Sequence, residues 1–97
     1  MDWGKAWKII GVVGALANKY YDKIPQGELY GLINSVESKN KFKFYEHLYW
    51  VLRSIGEHKL VYEEESKELF ELVDKLVDSD LSKEELAAVT PKISIKT

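Results

Sequence analysis

Ten of the sixteen acidic residues in this chain fall between positions 61 and 97, and they close on an oxygen-rich stretch, Asp78 to Glu85 (DSDLSKEE). Asp78, Asp80 and Ser82 stand at alternate positions, the spacing with which a tight loop turns every second side chain onto one hard cation. Glu84 and Glu85 follow as further donors. Calcium suits such a set because it accepts about six to eight oxygens in an irregular, partly hydrated shell, whereas magnesium demands near-octahedral geometry. The likeness to an EF-hand loop covers only its first half: the sixth position, which needs Gly, is Lys83, and the twelfth, which needs a bidentate Glu, is Val89. The pattern predicts an open site with a Kd on the order of 10⁻⁴ to 10⁻³ M. A competing use of the same residues is structural, with Asp78, Ser79 and Asp80 forming a turn and Glu84 and Glu85 favouring the start of a following helix.

A second constellation has the opposite character. Lys39 to Tyr45 (KNKFKFY), continuing to His47, Tyr49, Trp50 and Arg53, interleaves basic and aromatic residues. Nucleic-acid surfaces use that mixture, since lysines neutralise phosphates while rings stack on unpaired bases. Four bases are few for that purpose, and an acidic C-terminal third would repel a phosphate backbone unless it faced away. Burial of this helix on two sides, or a protein-binding patch of Phe42, Lys43, Tyr49, Trp50 and Arg53, is therefore expected ahead of a nucleic-acid surface. Trp50 falls opposite the main apolar stripe of its helix, and the expectation is that it packs on the first helix beside Trp3 and Trp7.

Other reactive pairings are thin. His47 and His58 would share one side of an unbroken helix, but Gly56 intervenes and no third ligand stands at zinc spacing. Glu46 with His47, and Asp74 with Asp78, are the available acid–base pairs; no nucleophile, phosphate loop or apolar pocket accompanies them, so no catalysis is expected. The absence of cysteine excludes disulfides, thiolate zinc sites and a thiol nucleophile.

The elements that must carry these residues all read with a helical period. From Asp2 to Tyr21, Trp3, Trp7, Ile10, Gly14, Ala17 and Tyr21 recur at spacings of three and four, opposite Lys5, Lys8, Lys19 and Lys23. Gly11 and Gly14 in that helix predict the close approach of a neighbour. Pro25 marks a boundary, after which Leu29, Leu32, Ile33 and Val36 form the stripe of a shorter helix ending in Ser38 to Asn40. A third helix spans 41–57 on Phe44, Tyr45, Leu48, Val51, Leu52 and Ile55, with Gly56 placed to end it. A fourth spans 64–77 on Leu69, Leu72, Val73, Leu76 and Val77, with Glu63, Lys67, Glu71 and Lys75 as an i,i+4 ladder on its outer side. Ser82 and Glu85 have capping-box spacing for a last short helix before Thr90 and Pro91, and 93–97 read as a loose tail.

Four amphipathic helices on short connections predict an all-α, antiparallel four-helix bundle of one domain over 1–92, with the short extra helix at its C-terminal end. The alternative is a winged helix-turn-helix, in which the strand-like Leu60, Val61 and Tyr62 would begin a wing and the third helix would enter a DNA groove. At 97 residues, with 45% apolar and 31% charged side chains and a net charge of -2, the chain has the composition of a soluble globular domain. Its longest apolar run, Ile9 to Ala17, is too short to cross a bilayer, so a cytoplasmic protein without membrane contact is expected. Thirteen Lys against one Arg, abundant Glu and few Asn and Gln resemble thermophile composition. In overall pattern the chain resembles the small helical-bundle proteins of thermophilic archaea, a likeness that covers no chemical motif and carries over no functional residue. The leading expectation is a non-enzymatic bundle that binds calcium weakly; the alternative is an interaction module working through the third helix.

Overall fold

The computed structural model describes residues 1–80, which form four α-helices: α1 (Trp3–Lys19), α2 (Gln26–Glu37), α3 (Lys41–Glu57) and α4 (Glu64–Asp80). No strand occurs among the described residues. The expected last helix and tail lie outside them.

Side-chain caps start two of the helices. The Lys5 backbone N–H donates to Asp2 Oδ1 at 3.1 Å, and the Lys43 N–H donates to Asn40 Oδ1 at 3.1 Å, each satisfying a donor that the first helical turn leaves open. Pro25 occupies the N-cap of α2 with extended backbone and no side-chain bond.

The ends of α2 and α3 repeat one solution. After α2, the Lys39 N–H donates to Val36 O at 3.1 Å and the Asn40 N–H to Ser35 O at 2.9 Å. After α3, the Lys59 N–H donates to Gly56 O at 3.2 Å and the Leu60 N–H to Ile55 O at 2.9 Å. Both are Schellman closures, and the residue that must take the left-handed conformation is a lysine each time, with φ of 57° at Lys39 and 58° at Lys59. Gly56 therefore does not end α3 as expected; it lies inside the helix, and Lys59 makes the turn. The closure also turns Leu60 into the core beside Ile55. Leu60, Val61 and Tyr62 form no strand: the Leu60 N–H is taken by the cap of α3 and its carbonyl accepts the Glu63 N–H in the turn that follows, and the wing of a winged helix-turn-helix is missing among the described residues.

α1 packs against α2 and α4, and α2 packs against α3. The shared core includes Ala6, Ile9, Val13 and Leu16 of α1, Leu32 and Val36 of α2, the six expected residues of α3, and Leu69, Val73 and Leu76 of α4. Burial of each of the large aliphatic members contributes about 1.5–3 kcal/mol, and this apolar seam, rather than propensity, holds the helices in place. Glu63 does not join the expected ladder along α4. It turns to the end of α1 instead, accepting from Lys19 Nζ at 3.4 Å.

The interhelical close contact falls at a different glycine from the one expected. Around Gly11 and Gly14 a side-chain carbon would meet nothing within 4 Å. At Gly31 of α2 the same carbon would lie 2.5 Å from Cε1 and Nδ1 of His47 on α3. No helix among the described residues is long and apolar enough to cross a membrane.

Candidate interaction surface on the third helix

With Phe44, Tyr45, Leu48, Val51, Leu52 and Ile55 turned inward, helical geometry leaves Phe42, Lys43, Glu46, Tyr49, Trp50, Arg53 and Glu57 on the outer flank of α3. All five residues expected to contact a partner share this flank. Phe42 is 51% exposed and Trp50 42%. Trp50 is thus corrected from its expected place: it does not pack beside Trp3 and Trp7, because α3 already fills its inner face with six other side chains. Trp7 is itself 45% exposed on α1.

Trp50 is nevertheless held. Its ring meets Tyr49 edge-on, with centroids 4.9 Å apart and planes at 67°. The Arg53 guanidinium lies over it, 5.3 Å from the ring centre. Arg53 Nε donates to Glu57 Oε1 at 2.7 Å, and its Nη1 donates to the Tyr49 hydroxyl at 3.4 Å. The Glu57 carboxylate first, and Tyr49 second, raise the Arg53 pKa further above its ordinary value. One turn toward the start of the helix, Lys43 pairs with Glu46 at 3.3 Å.

At the N-terminal end of α3 the flank opens into a groove of about 540 Å³ lined by Met1, Trp3, Ser38, Lys39, Asn40, Lys41 and Phe42. Here too cations lie over rings: Lys39 Nζ is 5.1 Å from the Trp3 centroid, and Lys41 Nζ is 5.8 Å from that of Phe42. The left-handed backbone at Lys39 belongs to the turn between α2 and α3, from which the lysine side chain reaches Trp3 at the start of α1.

Beside the flank, between α2 and α3, lies a cleft of about 370 Å³ lined in part by Gly31, Lys43 and His47, and His47 there belongs to a pair that sequence reasoning missed. His47 Nδ1 is 2.7 Å from Glu28 Oε2, both side chains being partly buried. The expected partner of His47 was its neighbour Glu46. Adjacent helical residues point about 100° apart, so Glu46 turns to Lys43 while His47 turns to α2. Glu28 and Gly31 are three residues apart on α2 and so share one face of it, and both meet the imidazole. No local sequence signal links positions 28, 31 and 47; only the packing of the two helices does.

The acidic constellation is placed differently from its expectation. α4 continues to Asp80, so Asp78, Ser79 and Asp80 have helical backbone rather than that of a loop. Positions two apart on a helix stand about 200° apart around its axis, which does not gather alternate residues on one cation. Among the described residues no group of three or more His, Cys, Asp or Glu side chains converges on a metal position. Ser82, Glu84 and Glu85 lie outside the described residues.

The flank of α3 thus combines rings under cations, two ion pairs and, beside it, the His47–Glu28 pair. Set against known protein families, curated proteins and solved structures, the chain matches none of them.

Proposed function

We propose that this protein is a non-enzymatic interaction module, an antiparallel four-helix bundle that binds a protein partner through the outer flank of α3. The observation that carries the reading is Trp50, 42% exposed yet held by Tyr49 at 4.9 Å and Arg53 at 5.3 Å. Tryptophan, tyrosine and arginine dominate the binding energy of interfaces, and side chains already restricted lose less freedom when a partner covers them. The antiparallel arrangement is supported by Lys19, at the end of α1, meeting Glu63 and Glu65 beside the start of α4 at 3.4 and 3.6 Å.

The test compares Trp50→Ala and Arg53→Ala with Trp7→Ala, a control that removes an equally exposed tryptophan from another helix. Each immobilised variant, checked for helicity by circular dichroism, is offered proteins from the native host. Partners that Trp7→Ala retains and both α3 variants lose support the flank as the binding surface. Equal retention by all three variants sinks the reading.

A further inference from the structure

We infer that the partner taken by the α3 flank is an acidic amphipathic helix, aliphatic along one stripe and edged by carboxylates. This inference rests on the flank being the binding surface and adds the chemistry of what it binds. Three features of the flank select that class.

The first is shape. The exposed rings of Phe42 and Trp50 lie on the convex side of a helix, eight residues or about 12 Å apart along its axis. A convex helical ridge is matched by the ridges and grooves of a second helix, whose own side chains recur after seven or eight residues.

The second is where the positive charge sits. Lys39 lies over Trp3, Lys41 over Phe42 and Arg53 over Trp50, at 5.1 to 5.8 Å from the ring centres. Each aromatic contact therefore comes with a cation above it. A ligand that stacks flat bases would have to displace those cations from the ring faces. A helix that sets aliphatic side chains against ring edges and carboxylates beside the ammonium and guanidinium groups uses both at once.

The third is the interruption of that charge. Glu46 pairs with Lys43 at 3.3 Å, and Glu57 with Arg53 at 2.7 Å, so two carboxylates stand within the row of cations. A continuous polyanion, a nucleic-acid strand or an anionic bilayer, would bring phosphates against Glu46 and Glu57 as well as against the cations. Discrete carboxylates at helical spacing meet the cations and miss the acids. This chain's own acidic α4 is not available as an occupant, because its apolar stripe of Leu69, Val73 and Leu76 already lies in the core.

The test uses the whole protein with backbone amides observed by NMR, and three probes: a synthetic helix of about 18 residues with a leucine stripe flanked by glutamates, its Glu→Gln counterpart, and a poly-dT oligonucleotide; phosphatidylserine vesicles are examined separately by co-sedimentation. The expected result is saturable shifts from Phe42 to Glu57 with the glutamate helix, at least tenfold weaker binding of the Gln counterpart, and a similar loss in Lys41→Glu and Lys43→Glu variants of unchanged circular dichroism. Oligonucleotide or vesicle binding that depends on the same residues, without the acidic helix binding, overturns the partner class and leaves the flank as the surface. Acidic-helix shifts located elsewhere overturn both. Silence with every probe overturns the partner class. Concentration-dependent shifts of the flank in the protein alone would instead identify a second copy as its occupant and overturn the inference.

Discussion

Gly31 on α2 and His47 on α3 share a space that admits only one side chain: a Cβ at Gly31 would lie 2.5 to 2.7 Å from three atoms of the imidazole ring. Gly31→Ala is therefore expected to lower stability by about 1–3 kcal/mol, since overpacking outweighs the roughly 1 kcal/mol that alanine contributes to helix propensity. Gly11→Ala, on an open face of α1, has the propensity gain without the clash and is expected to stabilise by about 0.5–1 kcal/mol. Denaturant unfolding of the two variants should move the midpoint in opposite directions.

The left-handed lysines make a second pair of expectations. A non-glycine residue at positive φ costs about 1 kcal/mol or more relative to glycine. Lys59→Gly is expected to raise the thermal midpoint, because the side chain of Lys59 is exposed and only the backbone strain changes. Lys59→Val should lower it, a β-branched residue being the least tolerant of this conformation. Lys39→Gly should show a smaller gain, since it also removes the cation over Trp3.

The junction of α1 and α4 carries a pH signature. The hydrogen bond from Tyr20 and the nearby Lys19 ammonium hold the Glu63 pKa below its ordinary 4.5. A lowered carboxylate pKa stabilises the fold above the ordinary value, and the contribution disappears as pH falls through the lowered one. Lys19 and Tyr20 are raised above 10.5 and 10.0, each chiefly by Glu63. Their contributions are complete below those values and are lost as pH rises through the raised ones. The difference in thermal midpoint between the native chain and Glu63→Gln should hence form a plateau from about pH 5 to 9 and narrow on both sides. Because none of the three groups is buried, added salt should flatten it.

Exposure separates the aromatic residues of α3. Phe44 is fully buried, and Phe44→Ala should cost about 3–5 kcal/mol. Trp50→Ala removes a ring that is 42% exposed and packs mainly on side chains of its own helix, so its loss should be less than half as large. Equal losses in the two variants, measured by urea unfolding, would place Trp50 in the core.

Calcium distinguishes a site from a charged surface. The helical backbone of 78–80 predicts diffuse amide shifts along α4, alike for calcium, magnesium and sodium chloride, as counterions gather near its carboxylates. A saturable response to calcium alone, confined to 78–85, would instead establish the coordination that Asp78, Asp80, Ser82, Glu84 and Glu85 suggest.

What was legible in the sequence followed from periodicity. The bounds of α3 agree with its pattern, and its six inward residues are the six that the pattern names, because a long apolar stripe leaves little choice of face. α4 runs three residues further than expected: Asp78, Ser79 and Asp80 carry turn-prone side chains, but a continuing helix overrides so weak a preference. α3 ends where expected, but its left-handed closing residue is Lys59 rather than Gly56, because glycine advertises such a turn and lysine does not. Most of the candidate surface was readable as residues left off the stripe. The Glu28–Gly31–His47 contact was not, since it depends on how α2 lies against α3, a relationship no window along one helix contains.

The placement of the three tryptophans gives the molecule its own optical labels. Trp7 is open on α1, Trp3 faces an ammonium, and Trp50 stands under a guanidinium on α3. Solvent relaxation around an exposed indole draws its fluorescence to longer wavelength, and exclusion of water reverses that shift. With Trp3 and Trp7 replaced by phenylalanine, the emission of Trp50 alone becomes a readout of whether the α3 flank is wet or covered, with no dye attached to the surface being measured.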